Sequence, residues 1–556
     1  MSLTPLRAAL ALLLGLAGTV AISVTSPSAQ AIAASDVPVG LTITVPLVTP
    51  AGSTGLITAD ALAQFTSPAG LLSRQLDAVI DRPVAIGIDP MILVSIRILG
   101  SSAPPTASAW LERLRAATNE TFPLTYADSD LTLMLQAGST AVLQPQSFDF
   151  AIDPTLFSAA VTPAPGDTPA PTPTSTTDTD TAAGPPPLPT TEELLEWPYT
   201  MTGIAWPSDG TVVASDLSII EASGYDTTIL NSGNVERAGQ SAPATADGHS
   251  ILVSDDAIST LIRKAAQSPT VEGWNGAIAR LSDALAGRSS AAGEQEQRIL
   301  ATLVRGFAPT GYRLVDTLEA LELMRSVRLV PLSSTMAASA SAVTVIDQEH
   351  SIETSARVAI MLAAESAETL FASIVESPES VTAERRLHLL ALTAHVWEDN
   401  PTGWQKAIDA FLAESSVLRN SVHVVESSTI NLFADRASLP ITVSNTLSRR
   451  ITVYITVRPE TALLKVENSR VELTVEPNSQ GKGQVPVQSI SNGTVQLVVS
   501  LSSGTGVPIN GTTAVQINVQ AGWETPVTVG IAAIVIVVFG VGIVRSIVRR
   551  RKPAGE

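Results

Sequence analysis

Hydrophobic positions between residues 41 and 332 fall into short apolar runs separated by longer amphipathic stretches. Runs rich in Val, Ile and Leu predict β-strands at residues 41–48, 84–88, 122–126, 203–206, 227–230, 250–253, 299–304 and 328–332. The intervals at 59–80, 258–265 and 314–324 keep apolar residues near helical spacing. Strands that alternate with helices indicate βα units around a parallel sheet. With about eight strands, we predict a (β/α) barrel-like domain over residues 32–349 in preference to an open sheet.

A proline-rich segment interrupts this pattern at residues 162–191. It holds nine prolines among Thr, Ala, Asp and Ser, and such a composition buries too little apolar surface to fold. The segment is either a domain boundary or a surface insertion. Because strand-like runs resume beyond it at the same spacing, we predict a disordered insertion in the barrel.

After the barrel region, the hydrophobic pattern has first a helical period and then the period of two that is typical of β-strands. Three helical stretches, at 356–374, 385–396 and 403–418, predict a small helical unit over residues 350–423 that packs on the barrel. Over residues 424–522, apolar and polar residues alternate in short runs separated by turn residues, which predicts an Ig-like β-sandwich. The predicted fold class is therefore multidomain, α/β plus all-β.

The N-terminus has the order of a secretory signal. Arg7 precedes an apolar run, and Ala29-Gln30-Ala31 then places small residues at the −3 and −1 positions of a cleavage site. We predict a signal peptide over residues 1–31, and the alternative is an uncleaved anchor helix.

The C-terminus predicts a membrane anchor. Residues 525–548 are long enough and apolar enough to span a bilayer, and a basic tail follows at 549–556. Because basic ends stay in the cytoplasm, we predict a single-pass protein of the cell membrane with its ectodomain outside. The nearest match to a cell-wall sorting site, Leu188-Pro189-Thr190-Thr191-Glu192, lies far upstream and lacks the final Gly, so we expect the helix to be retained.

Composition narrows the function classes. A formal net charge of -19 disfavours binding to nucleic acid. The absence of cysteine excludes disulfides, thiolate metal sites and cysteine nucleophiles, and it suits an exported bacterial protein.

Functional residues of a barrel lie at the C-terminal ends of its strands, and polar or aromatic residues occur at those positions here. The candidate catalytic residues are Asp128, Asp130, Asp209 and Asp255. The candidate ligand-binding residues are Asp89, Tyr126, Trp206, Asn231 and Arg305. A carboxylate pair would supply acid and base for glycan cleavage, and Tyr126 and Trp206 would stack on sugar rings.

The same aspartates also fit helix caps. Asp89-Pro90 places Asp at the N-cap and Pro at the first helical position, and we expect Ser129 or Asp130 to cap the next helix and Asp255 or Asp256 the one after. Arg305-Gly306 fits a turn.

Histidine positions argue against a metal centre. Of the five histidines, only His249 lies near a predicted barrel strand, and none pairs with an Asp at ligand spacing there. His388 and His395 are seven residues apart outside the barrel, and we expect them at a helix surface or core edge. Nucleophile-elbow, phosphate-loop and dinucleotide motifs are also absent from the sequence, so we predict no metal and no cofactor.

Several segments resemble a known group of surface proteins. They are Ile88-Asp89-Pro90, Leu124-Thr125-Tyr126-Ala127-Asp128-Ser129-Asp130-Leu131, Ala205-Trp206-Pro207-Ser208-Asp209-Gly210, Ala301-Thr302-Leu303-Val304-Arg305-Gly306 and Leu439-Pro440-Ile441-Thr442-Val443-Ser444-Asn445. With them, the chain resembles actinobacterial membrane-anchored surface proteins of unknown function, which implies a role in the cell envelope. The barrel segments remotely resemble glycosidase and polysaccharide-deacetylase barrels, although the His-based metal motif of deacetylases has no match here.

These observations favour a non-catalytic envelope protein that binds the lipid bilayer through its C-terminal helix and recognises cell-wall glycan or envelope proteins, in support of peptidoglycan assembly. The alternative is a glycan-cleaving hydrolase that uses Asp128 or Asp130 with Asp209 or Asp255. An inward-signalling sensor or scaffold is the third hypothesis, which the short cytoplasmic tail disfavours.

Overall fold

The computed structural model describes residues 37–50, 52–157, 187–237, 241–291, 296–305, 312–426, 428–520 and 524–550. The predicted signal peptide, most of the proline-rich segment, Gly306 and the tail beyond residue 550 lie outside the described residues.

A curled, mostly parallel sheet forms the first unit. Its strands are β1 (Val39–Leu47), β2 (Ala85–Ile88), β3 (Thr121–Pro123), β4 (Ile204–Ala205), β5 (Thr227–Asn231), β6 (Val235–Arg237), β7 (Pro243–Ala246), β8 (His249–Ser254), β9 (Arg298–Thr302), β10 (Val327–Leu329) and β11 (Ser341–Val345). Parallel pairings join β3-β2-β1-β9-β8-β5-β4 in that order. All eight predicted strands are present, and β10 pairs with the first half of β1.

The sheet curls as a half-barrel. Its parallel strands follow chain order around the curl, but no strand pairing joins β3 to β4 in the described part of the chain. A backbone hydrogen bond from Met201 N to Thr121 O, 3.0 Å long, links the two edges. The described residues therefore do not show the closed (β/α) barrel that the sequence predicts. The extra strands β6, β7 and β11 extend the sheet. β7 pairs antiparallel with β8, β11 pairs parallel with β7, and β6 pairs antiparallel with β11.

Helices cover the sheet and its edges. They are α1 (Ala59–Phe65), α2 (Leu71–Val79), α3 (Pro90–Arg97), α4 (Pro105–Ala116), α5 (Leu131–Gln136), α6 (Thr191–Leu195), α7 (Ala214–Ala222), α8 (Asp256–Ala266), α9 (Val271–Ala291), α10 (Arg313–Leu323) and α11 (Leu332–Met336). The predicted helix at 59–80 is two helices, α1 and α2. The chain turns sharply between them at Gly70, where a Cβ atom would lie 2.2 Å from the Phe65 carbonyl oxygen.

Three longer helices follow β11 and are together called the helical unit. They are α12 (Ile352–Ala372), α13 (Glu379–Leu392) and α14 (Pro401–Arg419). Their buried residues, among them Val358, Leu387 and Phe411, share one core with Tyr126 and Met134 of the first unit. The helical unit therefore packs directly on the C-terminal edge of the parallel sheet.

Two further sheets pack around a shared aliphatic core. Their strands are β12 (Val422–Val424), β13 (Ile430–Leu432), β14 (Arg436–Asn445), β15 (Ile451–Pro459), β16 (Leu464–Val466), β17 (Arg470–Val475), β18 (Ser479–Ser489), β19 (Gly493–Ser502) and β20 (Pro508–Val519). One sheet has the order β12-β14-β18-β16 and the other β13-β20-β19-β15-β17. Alternate residues of β15 are buried, as the period of two predicts.

The last element is α15 (Glu524–Arg550). Within it, Val527–Arg549 is the one helix of the described residues that is long and apolar enough to cross a membrane. Its apolar side chains are exposed, with Ile536 71% and Phe539 69% accessible. This is compatible with single-pass anchoring.

Candidate functional site

The C-terminal ends of the parallel strands gather most of the predicted site residues. Asp89 directly follows β2, Trp206 follows β4 and Asp255 follows β8, while Asn231 is the last residue of β5. Parallel strands present their carboxyl ends at one edge of a sheet, so these side chains lie on the side that faces the helical unit.

Asp89 is a buried helix cap. Its Oδ1 accepts hydrogen bonds from the backbone N–H groups of Met91 and Ala127, both 2.9 Å long, and Pro90 is the first residue of α3. Burial, and then the nearby charge of Asp128, raise the pKa of the Asp89 carboxyl well above its usual value. The predicted N-cap is confirmed, and it leaves this carboxyl facing the backbone.

Asp128 and Arg305 form a buried ion pair beside Trp206. Arg305 Nε lies 3.2 Å from Asp128 Oδ1, and its guanidinium stacks 4.1 Å from the centre of the Trp206 ring and donates to the Trp206 carbonyl. Ala127 and Asp128 both have left-handed backbone conformations, with φ of 58° and 46°. Such conformations cost free energy in residues other than glycine, so the surrounding contacts must hold this turn.

The two aromatic rings predicted to stack on sugars are buried. Tyr126 is 1% exposed, packs on Phe148 and donates its hydroxyl hydrogen to the Gly55 carbonyl over 2.6 Å. Trp206 is 5% exposed beneath Arg305. Tyr126 therefore packs in the interior, whereas Trp206, although almost fully buried, contributes to the lining of a cavity.

Asp255 and Asn231 stabilise local structure. Asp255 accepts from the backbone N–H of Ile258 at the start of α8, and its other oxygen lies 2.7 Å from Arg288 Nη2. The Asn231 side chain accepts from the N–H of Gly233 over 2.8 Å and also hydrogen-bonds to Asp209.

Asp130 joins the sheet edge to two histidines. Its Oδ1 caps α5 by accepting from the N–H groups of Thr132 and Leu133, at 3.0 and 3.2 Å. Its Oδ2 lies 3.1 Å from His350 Nε2 and 3.6 Å from His395 Nδ1. One carboxylate thus uses one oxygen for helix capping and turns the other toward the imidazoles.

The electrostatics of this group follow from that geometry. Burial alone would raise the pKa of Asp130, but the charge of His395 and the hydrogen bond and charge of His350 hold it well below its usual range. Burial opposes a charge on His350, but its hydrogen bond to Asp130 and the carboxylate's charge raise its pKa. At neutral pH Asp130 is therefore ionised.

Ser208 and Glu398 extend the group. Ser208 Oγ lies 2.5 Å from His395 Nδ1 and donates to Glu398 Oε1 over 2.7 Å. His395 is 6% exposed, and its Nε2 has no hydrogen-bond partner among the described residues.

Two adjoining cavities open on these side chains, between the sheet edge and the helical unit. Their volumes are about 290 and 450 Å³, and Asp209, His395 and Glu398 line both. We call the two together the cleft. Its larger part is walled by Trp397 and Trp404.

The two tryptophan rings of the cleft are held rigidly. The indole N–H of Trp397 donates to the Ala391 carbonyl over 2.8 Å, and that of Trp404 donates to the Leu392 carbonyl over 2.7 Å. Both rings remain partly exposed. An amphipathic ring that is fixed at its polar end and partly exposed is suited to contact with an apolar sugar face.

Asp209 is the predicted site residue most available to a ligand. Its side chain is exposed and lines both cavities. Desolvation by the surrounding protein raises the pKa of its carboxyl, although Arg305 and Arg263 oppose this change. Among the predicted acidic residues described here, Asp89, Asp130 and Asp255 instead cap helices, and Asp128 pairs with Arg305.

Sequence reasoning missed His350, His395, Glu398 and Ser208. His395 was expected at a helix surface or core edge, and the structure places it 3.6 Å from Asp130, 265 positions earlier in the chain. No local motif signals a site whose residues meet only after two units pack. The clustering of Trp397 and Trp404 in a chain with 4% aromatic residues was the available hint.

Comparisons with known proteins identify a family and say little about chemistry. A family model described as Family of unknown function (DUF6049) matches residues 6–555. No curated protein matches.

Solved structures match only a small part of the chain. The native α2-macroglobulin of E. coli is 13% identical over 18% of this chain and 7% of its own, with a TM-score of 0.15. WR4, an MSP family member of C. elegans, is 12% identical over 18% of this chain and 98% of its own, with a TM-score of 0.14. The E. coli chaperone DraB is 12% identical over 18% of this chain and 55% of its own, also with a TM-score of 0.14. This chain covers 7% of the length of the α2-macroglobulin, and scores this low support no structural argument.

Proposed function

The chain belongs to this family of unknown function, and on that premise we propose that it is a membrane-anchored envelope protein that binds glycan in the cleft without cleaving it. The observation that carries the proposal is the pair of hydrogen-bonded, partly exposed indoles that line the larger cavity together with carboxylates. Concave sites with aromatic walls and a few convergent polar groups are typical of ligand-binding pockets.

Chemistry at the cleft favours binding over cleavage. A glycan hydrolase needs two available carboxyl groups on opposite sides of the bond. Of the four aspartates predicted to be catalytic, Asp128, Asp130 and Asp255 are held by Arg305, by the start of α5 and by Arg288, which leaves Asp209 without a partner from that set. Peptidoglycan is the glycan that an anchored envelope protein meets, so we assign the cleft to peptidoglycan strands or their precursors, in support of their assembly.

The topology that we propose follows the sequence. The ectodomain lies outside, α15 spans the membrane, and the basic tail is cytoplasmic because positive residues stay inside. We also propose that the curled sheet derives from a (β/α) barrel and that the two-sheet unit is an Ig-like spacer near the membrane. Actinobacterial origin stays a prediction from the sequence.

Orientation can be tested with single cysteines, because the natural chain has none. Lys482 is exposed on β18, and Lys552 lies in the basic tail. On intact cells, a membrane-impermeant maleimide is expected to label Lys482→Cys and to spare Lys552→Cys until the cells are lysed. Labelling of Lys552→Cys alone on intact cells would reverse the proposed orientation.

Glycan binding can be measured with the full-length protein in detergent and purified peptidoglycan sacculi. We expect Trp397→Ala and Trp404→Ala each to weaken retention about tenfold, which corresponds to about 1.4 kcal/mol. Trp274→Ala is the matched control, because that partly exposed indole lies on α9, outside the cleft, and bonds to Thr317. Circular dichroism verifies folding, and equal retention of all four proteins, or none by the parent, would refute the proposal.

A glycan hydrolase is the second candidate, and Asp209 is the observation that favours it. Its exposed carboxyl lines both cavities, and its raised pKa suits a general acid. Under this alternative the protein releases reducing ends from sacculi and Asp209→Asn abolishes the release. Retention without release, in both parent and variant, would leave the binding proposal standing alone.

A further inference from the structure

Three acidic and imidazole side chains converge where the two cavities meet. Asp130, His395 and Glu398 each offer one ligand atom, and these atoms all lie within 4.8 Å of one another. His350 lies beside this group and pairs with Asp130, with its Nε2 3.1 Å from Asp130 Oδ2. We propose that this group is a binding site for a divalent transition-metal ion, with Zn²⁺ the best match.

The donor types fit this class of metal. Imidazole nitrogen and carboxylate oxygen are both common zinc ligands, whereas a calcium or magnesium site is built from oxygens. Two carboxylates and one neutral imidazole together carry two negative charges, which a divalent cation neutralises.

The spacing of the donors is close to that of a metal site. Ligand atoms about 2.0–2.2 Å from a tetrahedral zinc ion are separated by roughly 3.3 Å from each other. The distance from Asp130 Oδ2 to His395 Nδ1 is 3.6 Å. These two atoms therefore need little movement to share one ion, and Glu398 offers the third ligand atom of the group.

The surrounding hydrogen bonds orient the ligands. The N–H groups of Thr132 and Leu133 hold Asp130 Oδ1, so the carboxylate is fixed with Oδ2 facing the histidines. Such outer contacts are typical supports of metal ligands. Ser208 Oγ bridges His395 and Glu398, and rotation about its Cα–Cβ bond would clear the centre of the group.

Burial and access also favour an ion here. His395 is 6% exposed and turns its Nδ1 toward Asp130, so a ligand nitrogen is held away from bulk water. Glu398 is exposed and both cavities reach it. The site thus has two buried ligands, one exposed ligand and an entry path through the cavities.

The test uses the full-length protein in detergent, purified without a histidine tag and stripped with a chelator. Co²⁺ is titrated and followed by its visible absorption, and Zn²⁺ affinity is measured by competition with a chromogenic chelator. We expect one ion per chain, and Asp130→Asn, His395→Gln and Glu398→Gln each to raise the Kd at least tenfold.

Two controls separate this site from others on the chain. Ser208→Ala removes the bridging hydroxyl without removing a ligand, so its Kd should stay within threefold of the parent. Glu414→Gln alters a carboxylate that lies 3.7 Å from His388 outside the cleft, and it should bind as the parent does. Absence of Co²⁺ binding, or equal binding by the parent and all three ligand variants, would overturn the proposal.

The test of the metal site does not depend on glycan binding, because it uses the metal ion alone as the probe. Sacculus retention is repeated with chelator present. Metal binding without retention would remove the proposed function and leave the metal site, and retention without metal binding would do the reverse.

Discussion

Arg385 lies at the centre of the helical unit, where its guanidinium contacts several groups at once. Its Nε lies 3.1 Å from Glu368, its Nη1 lies 2.8 Å from Glu414, and its Nη2 donates to the Phe411 carbonyl. Glu368 is fully buried, and Arg385 is the basic residue that pairs with it. A buried charge that loses its partner cannot recover the hydration that it gave up on folding.

We therefore predict that Arg385→Ala lowers the free energy of unfolding by about 3–5 kcal/mol. Arg357→Ala is the control, because its pair with Glu353 lies on the surface of α12 and such pairs contribute about 0.3–0.5 kcal/mol. Denaturant unfolding followed by circular dichroism measures both. Equal losses of unfolding free energy in the two variants would show that the buried charge of Glu368 does not need its pair with Arg385.

His388 makes the stability of the helical unit depend on pH. Burial, and then the charge of Arg385, lower the pKa of this imidazole below 6.5, although Glu384 and Glu414 oppose the change. The unfolded chain therefore takes up a proton at a higher pH than the folded protein does. Stability from this residue is present above pH 6.5 and is lost as the pH falls below it.

We expect amide-exchange protection of α13, corrected for intrinsic rates, to fall between about pH 7.5 and 5.5. The decrease should be smaller in His388→Gln. His423→Gln, which alters an exposed histidine on β12, should follow the parent. A decrease as large in His388→Gln as in the parent would assign the pH dependence to other groups.

Single residues show what the sequence could and could not predict about the site. Asp89 was predictable as a cap because its acceptor and Pro90 are adjacent in the chain, and local geometry decides the outcome. The contact of His395 with Asp130 depends on how α13 packs against the sheet edge, which no local pattern encodes. Tyr126 follows a strand as predicted, but its ring points into the core.

At the scale of elements, Asp255 couples two neighbouring helices. One oxygen caps α8 through Ile258 N, and the other pairs with Arg288 of α9. A candidate catalytic residue is therefore also a structural one, and its substitution needs a design that separates the two roles.

We predict that Asp255→Ala costs about 1–2 kcal/mol of stability, because it removes both the cap and the ion pair. Asp255→Asn should lose less, because the amide oxygen still accepts from Ile258. Thermal unfolding of the two variants measures the difference. If both lose the same amount, the ion pair with Arg288 rather than the cap stabilises this junction.

Elements were predictable where their periodicity was strong. The eight apolar runs are strands, and the alternation at 451–457 is the buried face of β15. β7 was missed because Pro243–Ala246 consists of Pro, Ala and Thr and has no strong apolar signal. Closure of the barrel was not predictable either, because it depends on edge pairing rather than on the pattern within any strand.

At the scale of the whole molecule, α15 is the one exposed apolar helix of membrane dimensions among the residues that the structure describes. In water, such a helix would leave large side chains such as Ile536 and Phe539 unburied. A bilayer is the environment that removes this cost, so membrane attachment should depend on this helix.

We expect a chain that ends at residue 523 to leave the membrane fraction for the soluble fraction. Val538→Lys places a charge near the middle of the span, costs about 2.5–3.5 kcal/mol of insertion free energy, and should weaken retention. Val538→Leu is the matched apolar control. Fractionation and immunoblotting of cells give the result, and membrane retention of the shortened chain would locate the anchor elsewhere.

The link between the sheet edge and the helical unit sets an order of assembly. The N–H of Asp130 donates to the Thr393 carbonyl, and Ser129 bridges to Ala394, so a strand-end turn is joined to the end of α13. Ribosomes make the chain from its N-terminus, and the cleft therefore has only one wall until Trp404 has been synthesised. A nascent chain can complete its sheet early, but it acquires a ligand site only as a late event of folding.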